Sequence, residues 1–316
     1  MTKRLYTLLL MLSLTVVATG CSATTPSSKS NIESTDEKNT DLQEYTDSLG
    51  NTFSIESPEH VAVLSGSLAD AWELAGGSLC AATDDYWDIN TNPNEDLISL
   101  GSLKAPSVEL MVQSDIDFAI LSANISDQVA LQKNLQTAGI PTAYFDVETF
   151  EDYAEMMKVF TDITGRSDLY QTNVTGIQDA INIQLQKADG SNPSVLLLRS
   201  YSSGIKAKGS DSMVGQMLKD LGCNNIADTD SSLLDNLSME AIVMADPDYI
   251  FVTCMGEETA ALDTLENTFQ SNASWSSLTA VQNNHYYVLE KDLFQNKPNE
   301  RWAESYEILA NYLYEE

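Results

Sequence analysis

The sequence is short of histidine, of positive charge and of cysteine, and each shortage excludes something. His60 and His285 are its only imidazoles. Capture of a bare transition metal by several histidines is therefore excluded, and little is left for histidine acid–base catalysis. Against 47 Asp and Glu stand 16 Lys and Arg, a formal net charge of −31. So large an excess of acid repels phosphate backbones and rules out nucleic acid as a partner. The cysteines are Cys21, Cys80, Cys223 and Cys254. None forms a Cys-x-x-Cys pair, so no disulfide framework is implied, and the last three read as buried single thiols. GxSxG, HExxH and P-loop motifs are all missing, so the chain is expected not to be an enzyme and to need no cofactor. Its apolar run Leu5–Val17 falls short of the ~20 residues that span a bilayer as a helix.

That run has a different reading. Lys3 and Arg4 precede it and Ala-Thr-Gly-Cys follows at 18–21, the layout of a secretory signal over residues 1–20. The ending resembles a bacterial lipobox, in which Cys21 would be lipidated and would anchor the chain to the cell membrane from its outer side. Ala18 stands where the usual pattern has Leu. Residues 22–41, SATTPSSKSNIESTDEKNTD, bury too little apolar surface to fold, so 21–42 reads as a flexible tether.

The remainder alternates strand-like and helix-like segments. YTDSLGNTFSIESP at 45–58 reads as a hairpin turning at Leu49-Gly50-Asn51. Short apolar runs at 61–64, 79–82, 118–121 and 142–145 read as strands, with helices at 68–77, 107–113 and 126–138 between them. From Phe150 to Ala188 no strand interrupts, and Tyr153, Met156, Met157, Phe160, Ile177, Ile181 and Leu185 recur at helical spacing, which predicts one long helix bent near Gly165. A second series follows, with strands at 195–199, 249–253 and 286–290 and helices at 211–221, 238–244, 257–270 and 299–314. The fold class expected is α/β, in two lobes with mainly parallel sheets (43–149 and 191–316) joined by one bridging helix (150–190), with the ligand cleft between the lobes.

The two lobes share a sentence. PSVELMVQSDIDFAIL at 106–121 aligns with LSMEAIVMADPDYIFV at 237–252, matching Ser107 to Ser238, Glu109 to Glu240 and Asp117 to Asp248. Ser-x-Glu suits a helix start, with a capping hydroxyl and an acid that favours the helix dipole. That accounts for the residue types but not for their identical placing.

These paired units, the hairpin TDSLGNTFSI leading into SPEHVAVLSGS, the helix ending AWELAGG, and GSDSMVGQMLKDLGCNNIAD at 209–228 together resemble the class III substrate-binding proteins of ABC importers. That family takes up iron–siderophores, haem and cobalamin, and the resemblance runs from about residue 45 to the end. It implies a permease and its ATPase as partners. It also implies that Glu109 and Glu240, one on each lobe, dock the permease by pairing with its arginines.

In two-lobe α/β proteins the ligand sits against loops at the carboxyl ends of strands. Those loops are 65–67, 83–87 and 122–124 in the first lobe, and 200–212, 253–258 and 291–302 in the second. They offer Ser67, Tyr86, Trp87, Asn124, Arg199, Tyr201, Met255, Phe294, Lys297 and Arg301 as ligand-binding candidates. Lys206 and Lys208 add to a cluster of cations that would suit an anionic ligand. Trp302 also lies there, although as the start of an amphipathic helix it is expected to pack. Met213, Met255 or a tyrosine would serve haem as an axial ligand. A chelated metal needs no protein ligand at all, so an iron–siderophore is the first expectation. Haem or cobalamin binding, or a sensing lipoprotein without a permease, is the alternative.

Overall fold

The computed structural model describes residues 43–90, 93–235 and 237–315. The expected signal segment, the tether and the lipidation site Cys21 lie outside the described residues. Among the described residues no helix is long and apolar enough to cross a membrane.

The first element is the expected hairpin, β1 (Tyr45–Thr46) and β2 (Thr52–Phe53), paired antiparallel. Asp47 organises its turn by accepting the N–H groups of Leu49 at 3.0 Å and Asn51 at 2.8 Å, while Gly50 takes φ +80°. The other oxygen of Asp47 accepts Tyr144 N–H at 3.2 Å and pins the hairpin to the first lobe.

That lobe is a five-stranded parallel sheet made of β3 (Val61–Val63), β4 (Ala81–Ala82), β5 (Ile98–Ser99), β6 (Phe118–Ser122) and β7 (Thr142–Phe145), in the order β5-β4-β3-β6-β7. Every residue of β6 is buried, and they divide by parity: Phe118 and Ile120 enter one core, Ala119 and Leu121 the other. Burial on both faces is why these strands read as unbroken apolar runs. The second lobe contains β8 (Ser194–Tyr201), β9 (Gly204–Lys208), β10 (Asn224–Asn225), β11 (Tyr249–Cys254) and β12 (Tyr286–Val288). Four of them run parallel in the order β10-β8-β11-β12, and β9 folds back antiparallel on β8. The stretch 200–212, expected as a loop, therefore holds a strand. Alternating ladder positions from Arg199–Lys206 to Leu197–Lys208 hold it in place.

Between the sheets the chain is helical but not one helix. Thr149 and Asp152 form a reciprocal capping box at the start of Phe150–Thr164. That helix stops at Gly165, which adopts φ +70° while Gly165 and Arg166 N–H return to Asp162 O and Thr161 O. Ser167–Tyr170, a π-helical turn at Gln171–Thr175 and Gly176–Leu185 then continue. The glycine ends the helix rather than bending it, because a left-handed residue terminates the i→i−4 ladder. The apolar faces of both helical stretches enter a core shared with Val61 and Phe118 of the first sheet and Val195 and Phe251 of the second. The lobes are thus joined through packed side chains, not through an exposed linker.

Cys80, Cys223 and Cys254 carry free thiols. Burial pushes the Cys223 thiol up to about 12, so it stays protonated and inert at neutral pH.

Candidate functional site: a cavity between the lobes

A cavity of about 530 Å³ opens where the strands of both sheets end. Ser67 follows β3, Asp85 follows β4, and Ser122 and Asn124 end or follow β6. From the other side come Arg199 near the end of β8, Met255 after β11 and Lys297 after β12. The volume lies within the ~300–1,000 Å³ of small-molecule sites, and the position is where α/β sheets bind ligands.

One carboxylate organises the seam. Glu148 accepts from Lys297 Nζ at 3.1 Å and Asn124 Nδ2 at 3.2 Å through one oxygen, and from Met213 N–H at 3.1 Å through the other. A first-lobe acid thus holds three donors, two of them from the second lobe. A strap at 295–301 crosses the same seam. Asn299 Nδ2 donates to Ser67 O at 2.8 Å and Asp70 Oδ2 at 2.7 Å, both on the helix Gly66–Leu74. Burial raises the carboxyl pKa of Asp70, opposed by the Asn299 bond. It also raises that of Glu300, to which the charge of Asp70 adds. Asp146 is raised too, by burial first and by Glu148 second.

Arg199 is left without an acid. Its Nε meets Thr253 Oγ1 at 3.5 Å, and no carboxylate pairs with it among the described residues. Lys291 Nζ reaches Gly256 O at 3.3 Å. The cavity therefore offers one unpaired guanidinium, a nearly unpaired ammonium and an ammonium shared with Glu148.

Of the candidates read from sequence, Ser67, Asn124, Arg199, Met255 and Lys297 line this cavity. The others do not. Tyr86 and Phe294 are each 1% exposed and belong to the core, because their short helices turn an apolar face inward. Trp87 lies edge-on to Tyr86, with ring centroids 5.3 Å apart. Tyr201 pairs with Gly204 at the β8–β9 turn and does not line the cavity. Arg301 is engaged by Glu304 through two bonds, at 2.7 and 2.9 Å. Trp302 packs against Phe150 at 5.9 Å and is fully buried. Lys206 and Lys208 sit on β9. Of the aromatics expected at the site, Tyr86, Phe294 and Trp302 are core, and the cavity is built from aliphatic, thioether, neutral polar and charged groups with one ring, Phe145.

Sequence reasoning passed over Asp85, Asp88, Glu148 and Lys291, all of which line the cavity. Asp85 belongs to the TDDYW loop, in which the aromatic pair is the more prominent signal. Glu148 follows β7, whose carboxyl end was not counted among the cleft loops. Glu109 and Glu240 are exposed, each in the first turn of its helix, and neither lines the cavity.

Two lobes of parallel sheet with a cavity at the strand ends define a periplasmic-binding-protein type of fold. The chain belongs to the periplasmic binding protein family, which it matches over residues 61–293. It is 26% identical over 204 residues to the petrobactin-binding protein YclQ of Bacillus subtilis, an alignment that spans 60% of either chain. It is 23% identical over 308 residues to the putative ABC transporter substrate-binding lipoprotein YhfQ of the same organism, covering 92% of this chain and 91% of that one. The periplasmic catecholate-siderophore binding protein VctP of Vibrio cholerae shares its fold. The TM-score is 0.70 at 19% identity, over 86% of this chain and 99% of that one.

Proposed function

We propose that this protein is the extracytoplasmic substrate-binding component of an ABC importer, lipid-anchored through Cys21, which captures an iron–siderophore and hands it to the permease. The observation that carries the reading is the inter-lobe cavity of about 530 Å³ with Arg199, Lys291 and Lys297 on its wall. A ferric chelate with ionised catecholate or carboxylate arms presents oxygen anions to such donors, and charge-assisted hydrogen bonds are the strong ones. Among the described residues no group of three or more His, Cys, Asp or Glu is arranged to hold a metal ion. That favours a metal arriving inside its own chelator. Family membership and the names of the relatives support the same role.

Haem is the second reading, because Met213 and Met255 both line the cavity. Titration of the detergent-purified protein with a ferric catecholate, a ferric hydroxamate, haem and cobalamin separates the two. Trp72 and Trp302 are buried and Trp87 is half-buried, so quenching of their fluorescence is expected by energy transfer to the coloured ligand rather than by contact. Arg199→Ala should weaken a ferric chelate by ~1–3 kcal/mol, while Arg301→Ala, which breaks only the bond to Glu304, should leave affinity unchanged. Failure of every compound to bind below millimolar concentration rejects the ligand class. A haem Soret shift abolished by Met213→Ala or Met255→Ala decides for haem.

A further inference from the structure

The cavity's net charge is divided by lobe. Its cations, Arg199, Lys291 and Lys297, all come from the second lobe, which adds a single acid, Asp292, accepting Asn296 Nδ2 at 3.0 Å. The first lobe supplies no cation and three acids, Asp85, Asp88 and Glu148. Glu148 is consumed by Lys297, Asn124 and Met213 N–H. Asp85 accepts Gly66 N–H at 2.7 Å through one oxygen, while the other is buried without a hydrogen-bond partner among the described residues and so is shielded from the cavity's solvent. Asp88 alone is exposed and engaged by no hydrogen bond or ion pair among the described residues. Around these acids the first-lobe wall is aliphatic at Leu68, Ile89, Leu103 and Ile125, and neutral polar at Ser65, Ser67, Ser122 and Asn124. Lys291 and Asp292 each meet one neutral group, Gly256 O and Asn296 Nδ2, so the least engaged charge on each wall is Arg199 on the second lobe and Asp88 on the first.

Resting on the reading of the cavity as a chelate site, we propose that the ligand is amphoteric: an anionic ferric core set against Arg199, and an alkylammonium arm laid along the first-lobe wall towards Asp88. An aliphatic surface with a carboxylate matches the two halves of such an arm, its methylenes and its charged nitrogen. A purely anionic chelate fits this cavity poorly, because half of its surface would meet an acid wall, and a like-charge approach costs affinity. The division also gives the ligand a single orientation. Reversal would set the core against Asp85 and Asp88 and the ammonium against Arg199.

The test is a matched pair of probes: two ferric tris-catecholate complexes on the same linear polyamine backbone, one with a free ammonium and one with that nitrogen acetylated. Each is titrated calorimetrically into the detergent-purified full chain and into its Asp88→Asn and Arg199→Gln variants. The native protein should bind the ammonium form about tenfold more tightly than the acetylated form, a gap that narrows as salt screens the pair. Asp88→Asn should close the gap by weakening the ammonium form alone. Arg199→Gln should weaken both forms alike and keep the gap. Equal affinities in the native protein overturn the proposal while leaving the chelate reading intact. So does an Asp88→Asn effect equal for both probes, since that would mark Asp88 as a partner for the opposite wall instead of for the ligand. Binding of neither probe, with haem or cobalamin bound, overturns both readings together.

Discussion

Two stretches of the chain, 107–122 in the first lobe and 238–253 in the second, solve the same structural problem with the same residues. Ser107 Oγ accepts Leu110 N–H at 3.2 Å, and Ser238 Oγ accepts Ala241 N–H at 3.2 Å, each capping its helix. Asp115 and Asp246 end those helices in left-handed conformations, at φ +51° and +38°. Asp117 accepts the N–H groups of Glu59 and His60 at 2.8 and 3.0 Å, stapling β6 to the start of β3. Asp248 accepts Ser194 N–H at 2.8 Å and its hydroxyl at 2.6 Å, stapling β11 to the start of β8. Three of the five identical positions are thus explained by the backbone they hold, leaving the exposed pair Val112 and Val243 and the glutamates.

The glutamates differ from that pattern. Glu109 accepts from Gln113 at 3.2 Å, a local contact between exposed side chains. Glu240 makes no hydrogen bond or ion pair among the described residues, and the residue matching Gln113 is Met244, 82% exposed. A residue placed identically in both lobes with no consistent partner is one that the fold does not require. The contrast separates positions held by local structure from positions free of it, and freedom of that kind is what the docking role implied by the family resemblance requires of the pair.

The largest effect that sharpens this contrast is on transport. Glu109→Ala with Glu240→Ala should cut cellular uptake of the ferric ligand roughly tenfold or more while binding and melting stay near native, since exposed charges add little to stability. Normal uptake with lowered melting would return both glutamates to the helix dipole. Next in size, Asp117→Ala and Asp248→Ala should each cost about 1–3 kcal/mol by orphaning two donors at a strand start, without touching affinity. Denaturant midpoints measure this, and a large difference between the two variants would break the equivalence of the lobes. Ser107→Ala and Ser238→Ala should follow at about 1 kcal/mol each, the usual loss of a helix cap.

The smallest effect concerns the seam between the lobes. Asp70 is raised in the fold above its unfolded value, so the stability tied to its protonation is present at low pH and is lost as pH rises through the folded value. Asp70→Asn keeps an acceptor for Asn299 and removes the charge. It should therefore raise the melting temperature slightly near neutrality, with the advantage shrinking as pH falls towards the carboxylate range. Parallel melting curves for the two proteins across pH check the sign.

The sheet strands were legible because burial on both faces leaves runs such as Phe118–Leu121 without polar interruption. β4, β5 and β10 span two residues each. Such short ladders are set by neighbouring strands, and β5 and β10 in particular leave little periodicity to read. The hairpin strand β9 hid among lysines and glycines, which read as loop although the β8 ladder holds them. In the site, loops at strand ends were found from topology, and five of the candidates taken from them line the cavity. Which side chain of a loop faces the ligand was not legible. Asp88 and Tyr86 stand two apart, and the turn of one short helix sends the ring to the core and leaves the acid exposed. Aromatic residues were favoured for their flat faces, yet their large apolar area is what drew them into the interior.

If this protein carries a ferric chelate in the cavity between its lobes, native mass spectrometry of the protein purified from iron-starved cells will detect it. The predicted result is a mass adduct with the isotope pattern of iron, retained by the Glu109→Ala, Glu240→Ala double variant and lost or much reduced in Arg199→Ala. An adduct without iron, or an iron adduct unaffected by Arg199→Ala, would contradict it.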